Sequence, residues 1–308
     1  MCIRDRIYTL TLNPAVDYVV HIPELVSGTI MRGDCGAVYF GGKGINVSRV
    51  LSELDVKSVA TGFLAGFTGR AIADDLKSCG IEGDFVFLDS GFTRINVKIR
   101  TGSETDINAC GQNVPRDSVR ELICRLERLG GGDVVIMSGS APKSDAGDIY
   151  ELAADVVSRR GAKIVADTDG QELLRLVRYS PVLIKPNADE LGQMLGCRIS
   201  GLSDAVEGGR RVLKMGARNV LVSLGGDGAV LLTERGEQIY EPAIKKAGRV
   251  DSVGAGDSML AGFVAGYMKT KSPLSAMKFA TAAGGAAAFC EGLPGKEEIL
   301  GIICSMSD

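Results

Sequence analysis

The sequence predicts an α/β protein in which a doubly wound, mostly parallel sheet carries helices on both faces and a small group of extra strands. Three observations predict this class. Short apolar runs recur along the chain, amphipathic segments lie between most of them, and two stretches break the alternation. A strand-then-helix rhythm builds a parallel sheet because the chain must cross a sheet face before it can enter the next parallel strand.

The predicted strands are short apolar runs bounded by glycine or polar residues, a pattern typical of buried strands. In chain order they are Ile7–Leu12, Val59–Phe63, Val134–Ser138, Lys163–Asp167, Val182–Lys185, Val220–Ser223 and Ala229–Leu232. The intervening segments have helical spacing. One example is the face formed by Val47, Val50, Leu51 and Leu54, and Asp145–Arg159 and Leu202–Met215 likewise alternate apolar and charged faces.

Residues 14–40 and 88–112 break this rhythm. Both contain β-branched and aromatic residues, polar alternation and glycine punctuation, and neither has a helical pattern. They are interpreted as strands that project from the sheet as a lid or a dimer surface, with ordinary surface hairpins as the alternative. Because open strand edges and apolar faces are usually covered, we expect these strands to pair with a second copy in a homodimer.

The length of 308 residues and mass of 32.3 kDa suffice for a large core. We interpret residues 7–308 as a single domain, preceded by a leader without function at Met1–Arg6. The 35 basic and 38 acidic residues give a formal charge of −3, so nucleic acid and membrane surfaces are not expected partners. The early apolar run is broken at Asn13, Pro14 and Asp17, unlike a signal sequence, and we expect a cytoplasmic protein that binds small molecules.

Cysteine and histidine usage excludes several kinds of site. The eight cysteines form no C-x-x-C pair, and His21 is the only histidine, so a zinc site, a disulfide framework and a histidine-dependent triad have little basis. We expect most of the cysteines to be small core residues. His21 lies in an alternating stretch and is expected on a strand face.

A glycine motif at Asp251–Phe263 carries the strongest chemical signal. Apolar residues after Gly256 recur on one helical face, which predicts that Gly254, Ala255 and Gly256 form a loop at a helix N-terminus. Such a terminus binds anions through free N–H groups and the helix dipole. Asp257 would lie at this anion site, either as a general base for phosphoryl transfer or as a helix-cap carboxylate; spacing alone does not separate these roles.

Two further glycine clusters lie elsewhere in the chain. Gly41–Asn46 lies at the start of a predicted helix. Its glycine pair, Lys43 and Asn46 would offer a backbone contact, a cation and an amide side chain within one turn, and such a set of groups can bind a compact polyol. Ser223–Gly228 reads as a tight turn at a sheet end, more often a plain hairpin than a nucleotide loop. Lys43 is followed by Gly44, which excludes a Walker A loop, and Met259 occupies the third glycine position of a dinucleotide fingerprint.

The first two motifs resemble the signatures of the ribokinase-like (PfkB) family of carbohydrate kinases, and the likeness extends from Ile7 to Pro294. Further matching segments are Thr11–Asp17, Thr93–Lys98, Ser138–Ser140 and Lys185–Glu190. Two of them, Thr11–Asp17 and Thr93–Lys98, are similar to 1-phosphofructokinases and the related tagatose-6-phosphate kinases. The chain departs from the family pattern at Ser252, where threonine is frequent, and at Cys110–Gln112, where Gly-Pro is frequent.

The resemblance implies a ribokinase-like fold and an enzyme that uses ATP and Mg²⁺ to phosphorylate fructose 1-phosphate at its 6-hydroxyl, giving fructose 1,6-bisphosphate. The alternatives are a tagatose-6-phosphate kinase, a 6-phosphofructokinase or, in another class, a non-catalytic sensor of sugar phosphate or nucleotide. A carboxylate at an intact anion loop argues against the sensor, because a pure binder has no need of a base there.

The resemblance also implies residue roles. Asp257 would be the general base, and the anion hole for the γ-phosphoryl group would comprise Ala255, Gly256 and the Asp257 amide, with Gly254 in the same catalytic loop. Sugar hydroxyls would be held by Asp17, Gly42 and Asn46, and the substrate phosphate by Lys43 and Arg94, with Ser140 nearby. The nucleotide would contact Lys185, Asn187, Ser223, Gly225, Gly226, Asp227 and Gly228, with adenine beside the alanine-rich segment 280–288.

Magnesium would be organised by Asn187 and Glu190, through water. Simpler interpretations of these residues remain open at this stage. Lys43 and Arg94 could be solvated surface charges, and the Asn187/Glu190 pair could be a helix cap with a solvent-facing carboxylate.

Overall fold

The computed structural model describes residues 5–34, 36–101, 104–245, 253–290 and 292–306. The strands in these residues are β1 Ile7–Thr11, β2 Ala15–His21, β3 Val38–Gly41, β4 Val59–Ala65, β5 Glu82–Leu88, β6 Ile95–Arg100, β7 Glu104–Ile107, β8 Val134–Ser138, β9 Lys163–Asp167, β10 Leu183–Ile184, β11 Asn219–Ser223, β12 Ala229–Thr233 and β13 Gln238–Glu241. The helices are α1 Lys43–Glu53, α2 Gly66–Ser78, α3 Arg116–Leu126, α4 Ile149–Arg159, α5 Gly170–Leu176, α6 Ala188–Leu195, α7 Leu202–Met215, α8 Ala255–Thr270, α9 Pro273–Ala288 and α10 Lys296–Ser305.

A nine-stranded sheet forms the centre of the molecule, in the order β13-β12-β11-β10-β9-β8-β1-β4-β5. All neighbours from β11 to β5 are parallel, and β12 and β13 add an antiparallel edge. The strand order reverses direction around β1, which is flanked by β4 and β8. Ligands of such sheets bind where the carboxyl ends of the strands meet at this reversal.

Helices cover both faces of this sheet through separate apolar clusters. On one face α3, α4, α5, α6 and α7 pack against residues such as Leu10, Met137 and Ala166. On the other face α1, α8, α9 and α10 pack against alternate residues of the same strands, including Ile7 and Ile136. Two-sided burial explains why the strands are continuously apolar rather than alternating. The predicted doubly wound architecture is confirmed.

Most predicted elements are confirmed, with differences that have local causes. The predicted face of α1 is fully buried, whereas α4 begins at Ile149 rather than Asp145 because Gly147 has a φ of 93° and the Asp148 side chain caps the helix. The sequence analysis did not identify β5 or β13. The first three residues of β5 are not buried, and β13 alternates exposed and half-buried residues, so neither forms the apolar run that marked the other strands.

The extra strands form a second sheet of four strands in the order β3-β2-β6-β7, here called the lid sheet. Within it β2 and β6 are parallel, and Asp17 pairs with Asn96. The prediction of strands without helices in these stretches is confirmed, but its boundary at residue 88 is wrong, because Leu88 ends β5 in the large sheet. His21 ends β2, in agreement with its expected place on a strand face.

Two other expectations need correction. Of the cysteines within the described ranges, Cys79, Cys110, Cys124, Cys197 and Cys304 are exposed and Cys290 is half-buried, so they are not core residues. The leader was expected to include Arg6, yet Val134 donates its N–H to the Arg6 carbonyl at 2.9 Å, and Arg6 thereby extends the pairing of β1 with β8. Residues 1–4 lie outside the described residues. In the described part of the chain, no helix is long and apolar enough to cross a membrane.

Candidate active site

The carboxyl ends of the central strands converge on the N-termini of α1 and α8. Asp257 lies in the first turn of α8 and is buried, and Asn46 lies in the first turn of α1. The Asn46 side-chain amide donates a hydrogen bond from Nδ2 to Asp257 Oδ2 at 2.8 Å. Two motifs more than two hundred residues apart therefore meet in one hydrogen bond.

The protein environment of Asp257 favours the protonated, neutral carboxyl more than bulk water would. Burial, together with repulsion from Asp167, raises the pKa of Asp257 to about 6, and the Asn46 hydrogen bond and the cations Lys43 and Lys185 oppose this rise. A carboxyl with this pKa ionises near neutral pH and still accepts a proton readily. These are the properties of a general base.

Asp167, at the end of β9, joins two lysines from different parts of the chain. Its side chain is wholly buried, and Oδ1 lies 3.2 Å from the Lys43 ammonium and 3.3 Å from the Lys185 ammonium. The two cations hold the pKa of Asp167 below its usual range against the effect of burial. Sequence reasoning missed Asp167. The available signal was a charged residue ending a buried strand, at the sheet edge where ligands bind.

The N-terminus of α8 has the helix-start geometry on which the predicted anion site depends. Gly254 caps the helix in the left-handed region, with a φ of 76°, and Ala255 and Gly256 begin the helix. A side chain at Gly256 would place its Cβ 3.3 Å from the Lys185 ammonium. Glycine therefore lets a buried cation lie beside the positive end of the helix dipole, and together they favour a phosphoryl group. Asp251 and Ser252 lie outside the described residues.

A cavity of about 790 Å³ lies between the lid sheet and the N-termini of α1 and α8. It is lined by three residues assigned to sugar hydroxyls, Asp17, Gly42 and Asn46, and also by Gly254. Gly42 has a φ of 135°, and a Cβ there would come within 2.8 Å of Thr11, so this close approach of α1 to β1 requires glycine.

A second cavity of about 360 Å³ adjoins the first, and Gly42 lines both. It contains the remaining substrate-side candidates Lys43, Arg94 and Ser140, together with Glu190. The Ser140 hydroxyl accepts a hydrogen bond from the Asn13 side chain at 3.4 Å. The sequence-predicted substrate residues are thus brought together, but around two neighbouring cavities rather than one.

Lys43 and Arg94 are not the solvated surface charges considered in the sequence analysis. The Lys43 ammonium pairs with Asp167 and lies 3.8 Å from Glu190. Arg94 donates to the carbonyl oxygens of Ala109 at 2.8 Å and Asn13 at 3.0 Å, and burial lowers its pKa. Arg94 therefore fixes two loops as well as lining the cavity.

Asn187 and Glu190 form a reciprocal cap at the start of α6. Asn187 Oδ1 accepts from the Glu190 N–H and Glu190 Oε2 accepts from the Asn187 N–H, each at 2.8 Å. The second carboxylate oxygen, Oε1, lies 3.8 Å from Lys43. A helix cap and a site role are therefore compatible, because the cap uses one oxygen of Glu190 and leaves the other directed toward the cavity.

The predicted nucleotide residues occupy adjoining strand ends. Asn187 and Ser223 form a β-bridge beyond β10 and β11, which places Lys185 and the turn at Gly225–Gly228 along one edge. In that turn, a Cβ at Gly228 would come within 2.2 Å of a backbone oxygen of β13. The alanine-rich segment 280–288 lies mainly within α9, and most of its alanines are buried in the apolar cluster shared with α8.

The family comparison agrees with this geometry. Residues 10–298 match the model of the pfkB family carbohydrate kinases. The chain belongs to this carbohydrate kinase family. It is 42% identical to a 1-phosphofructokinase of Bacillus subtilis over 96% of both chains, and 34% identical to a D-tagatose-1-phosphate kinase of Bacillus licheniformis over 93% of this chain and 94% of that one.

Solved structures show the same architecture. Phosphofructokinase-2 of Escherichia coli, in complex with substrates and products, superposes with a TM-score of 0.90 at 25% identity and covers 98% of this chain and all of that one. A ribokinase of Arabidopsis thaliana bound to ribose and ATP gives 0.80 at 23% identity over 98% of this chain and 99% of the other, a likeness of fold. The ribokinase-like fold expected from the sequence is confirmed, and this member of the pfkB family is a kinase that acts on a sugar hydroxyl.

Proposed function

We propose that this kinase transfers the γ-phosphoryl group of ATP to the 6-hydroxyl of fructose 1-phosphate, giving fructose 1,6-bisphosphate and ADP. The observation that carries the proposal is the Asn46–Asp257 pair, in which a buried carboxyl with a raised pKa lies at a helix N-terminus beside the sugar cavity. The choice of sugar is supported by the 1-phosphofructokinase relatives, at 42% and 35% identity over nearly the whole chain.

The reaction needs one proton transfer and one phosphoryl transfer. Asp257 takes the proton of the 6-hydroxyl as O6 forms its bond to the γ-phosphorus and the bond from that phosphorus to the bridging oxygen of ADP breaks. The first turn of α8 and Lys185 stabilise the negative charge on the transferring group. Asp17, Gly42 and Asn46 hold sugar hydroxyls, so that O6 faces both the base and the anion site.

The substrate phosphate is assigned to the second cavity. Arg94 uses one N–H of each terminal nitrogen on backbone carbonyls and retains donors that can bind phosphate oxygens. Ser140 adds a hydroxyl. The Lys43 ammonium pairs with Asp167, so it is not free to bind the sugar phosphate alone. Lys43 instead contributes positive charge between the site of the substrate phosphate and the anion site at α8.

The oxygen donors fit a hydrated magnesium ion. Glu190 directs one carboxylate oxygen at the cavity, and three buried oxygens at neighbouring strand ends, Thr11 Oγ1, Ser138 Oγ and Asp167 Oδ2, have no hydrogen-bond partner among the described residues. Mg²⁺ keeps much of its water and takes few protein ligands. Asn187 and Glu190 would hold it through water. When bound, it neutralises charge on the ATP phosphates.

A tagatose 1-phosphate kinase is the second candidate, favoured by the D-tagatose-1-phosphate kinase relative at 34% identity. Tagatose and fructose differ only in the configuration at C4. Discrimination between the two sugar phosphates therefore depends on how the site recognises the C4 hydroxyl.

An ADP-release assay with a panel of acceptors tests the proposal. The panel comprises fructose 1-phosphate, tagatose 1-phosphate, fructose 6-phosphate, tagatose 6-phosphate and free fructose. We expect the highest kcat/KM with fructose 1-phosphate and far poorer use of fructose, which lacks the phosphate. A higher kcat/KM with tagatose 1-phosphate selects the second candidate, whereas equal use of fructose and fructose 1-phosphate overturns both.

A further inference from the structure

Asn96, near the start of β6, is a buried amide whose two ends contact β2 and the segment after β7. Its Nδ2 donates to Asp17 Oδ1 at 2.7 Å, and its Oδ1 accepts from the Ala109 N–H at 3.2 Å. A backbone N–H can only donate, so the orientation of the amide is fixed and Nδ2 must face Asp17. No other side-chain type of this size offers one donor and one acceptor in this arrangement.

Both backbone polar groups of Ala109 are held by side chains from β6 and from the residue directly before it. Arg94 donates to the Ala109 carbonyl at 2.8 Å, while Asn96 accepts from the N–H of the same residue. Residues 94 and 96 are two apart, so their side chains lie on one face of the strand. The segment after β7, which brings Asn108 into the second cavity, is therefore attached to the strand that contacts Asp17.

Lys98 continues this row along β6. It is buried, and its ammonium lies 3.5 Å from Asp17 Oδ2 and 3.3 Å from Asp106 Oδ2. Each Asp17 oxygen thus has one neighbouring donor from β6. A carboxylate accepts about four hydrogen bonds, so the remaining lone pairs are available to a ligand. The Asp17 side chain is 24% exposed and lines the larger cavity.

We propose that Asn96 is a positioning residue that fixes the Asp17 carboxylate for the sugar hydroxyl and couples it to the loop at Ala109. This inference rests on the proposed function, because Asp17 is taken there to bind the sugar. Without Asn96, the carboxylate loses the donor that sets its rotamer and turns toward Lys98. The hydroxyl contact would then be made only in a fraction of the molecules, and this weakens sugar binding more than it slows the chemical step.

The isosteric variant Asn96→Asp tests the hydrogen bond. It keeps an acceptor for the Ala109 N–H but sets two carboxylates against each other. We expect KM for fructose 1-phosphate to rise about 10-fold or more, since hydrogen bonds to charged groups have this weight, with KM for ATP within about 2-fold of wild type. Asn113→Asp is the matched control, because Asn113 donates to Asp145 at 2.8 Å in an exposed pair.

A double-mutant cycle with Asp17→Ala and Asn96→Ala separates positioning from general damage to the fold. If Asn96 acts through Asp17, the double variant has the same kcat/KM for fructose 1-phosphate as Asp17→Ala alone. Losses that multiply, or an Asn96→Asp variant whose sugar KM stays within about 2-fold of wild type, overturn the role of Asn96. A wild-type enzyme that phosphorylates no sugar phosphate overturns the proposed function and this inference with it.

Discussion

Asp257 shows how much a residue's function depends on its surroundings. The same aspartate at an exposed helix start would be a helix-capping carboxylate of ordinary acidity. Here burial and the negative charge of Asp167 raise its pKa to about 6, and the Asn46 amide fixes one of its oxygens. The residue therefore combines the geometry and the basicity that proton abstraction requires.

Replacing Asp257 by asparagine removes the base and preserves the shape of the side chain. We expect turnover to fall by about 10² or more, the usual contribution of a general base, while ATP binding persists. Steady-state assays and nucleotide titration by calorimetry measure the two effects. Near-normal turnover in Asp257→Asn would return Asp257 to the role of a helix cap.

The raised pKa of Asp257 predicts a pH dependence with a definite sign. The base acts in its ionised form, so protonation removes activity, and kcat/KM should rise with pH until it levels off above about 6. Initial rates at low sugar concentration report this ionisation in the unliganded enzyme. The residual activity of Asp257→Asn should lack the acid limb; a limb shared by both enzymes would assign it to another group.

At the scale of the element, the N-terminus of α8 concentrates positive charge. The helix dipole, the Lys185 ammonium beside Gly256 and the Lys43 ammonium on Asp167 lie in one region. Asp167 carries one negative charge against two lysines, so these three groups together are net positive. This balance suits the transferring phosphoryl group and offsets part of the cost of placing a second buried carboxylate, Asp257, nearby.

Gly256→Ala tests the close approach at this helix. Alanine favours a helix over glycine by up to about 1 kcal/mol, so the variant should be no less stable than wild type. Its Cβ would nevertheless lie 3.3 Å from the Lys185 ammonium and obstruct the phosphate, and we expect kcat/KM for ATP to fall several-fold. Gly301→Ala in α10 is the control, because no atom lies within 4 Å of its added Cβ. Unchanged ATP kinetics in Gly256→Ala would contradict the anion-site geometry.

At the scale of the whole molecule, the outer face of the lid sheet has an apolar row. Strand register aligns Val38, Tyr18, Val97 and Ile107 across all four strands, on the face opposite Asp17. Ile107 is 57% exposed and Val38 is 49% exposed. Such a face is unfavourable in water, and we propose that a second copy covers it in a two-fold dimer. Closure of the lid over the sugar would also exclude water and limit ATP hydrolysis.

Ile107→Lys places a charge on the edge strand β7, at one end of this apolar row. Since Ile107 is exposed within one chain, we expect the fold to survive and the dimer to dissociate, as measured by light scattering and thermal unfolding. Leu274→Lys, at an exposed apolar position on α9, is the control and should leave the oligomeric state unchanged. A wild-type monomer with full activity would overturn the dimer and leave the kinase assignment intact.

The local sequence pattern predicted the fold because the order of apolar and polar residues in each element reflects which of its residues are buried. Apolar runs of strand length, the helical face of α1 and the helix start within the glycine motif all depend on neighbours along the chain, and all are confirmed. The predicted loop is shorter than expected, because Ala255 and Gly256 already belong to the first turn of α8. The strands β5 and β13 were not predicted because their partly exposed positions interrupt the apolar pattern. The cysteine expectation failed because residue type alone does not determine burial.

By itself, the sequence determined the α/β class, the lid strands, the two glycine motifs and the candidate base. Only the tertiary structure decided which charges meet. Three sets of contacts join segments that are separated along the chain. They are the ion pairs of Asp167 with Lys43 and Lys185, and the hydrogen bonds of Asn46 with Asp257 and of Asn96 with Asp17. Periodicity and spacing report local geometry, whereas the pKa of Asp257 depends on the charges of Asp167, Lys43 and Lys185, which the tertiary fold brings near it.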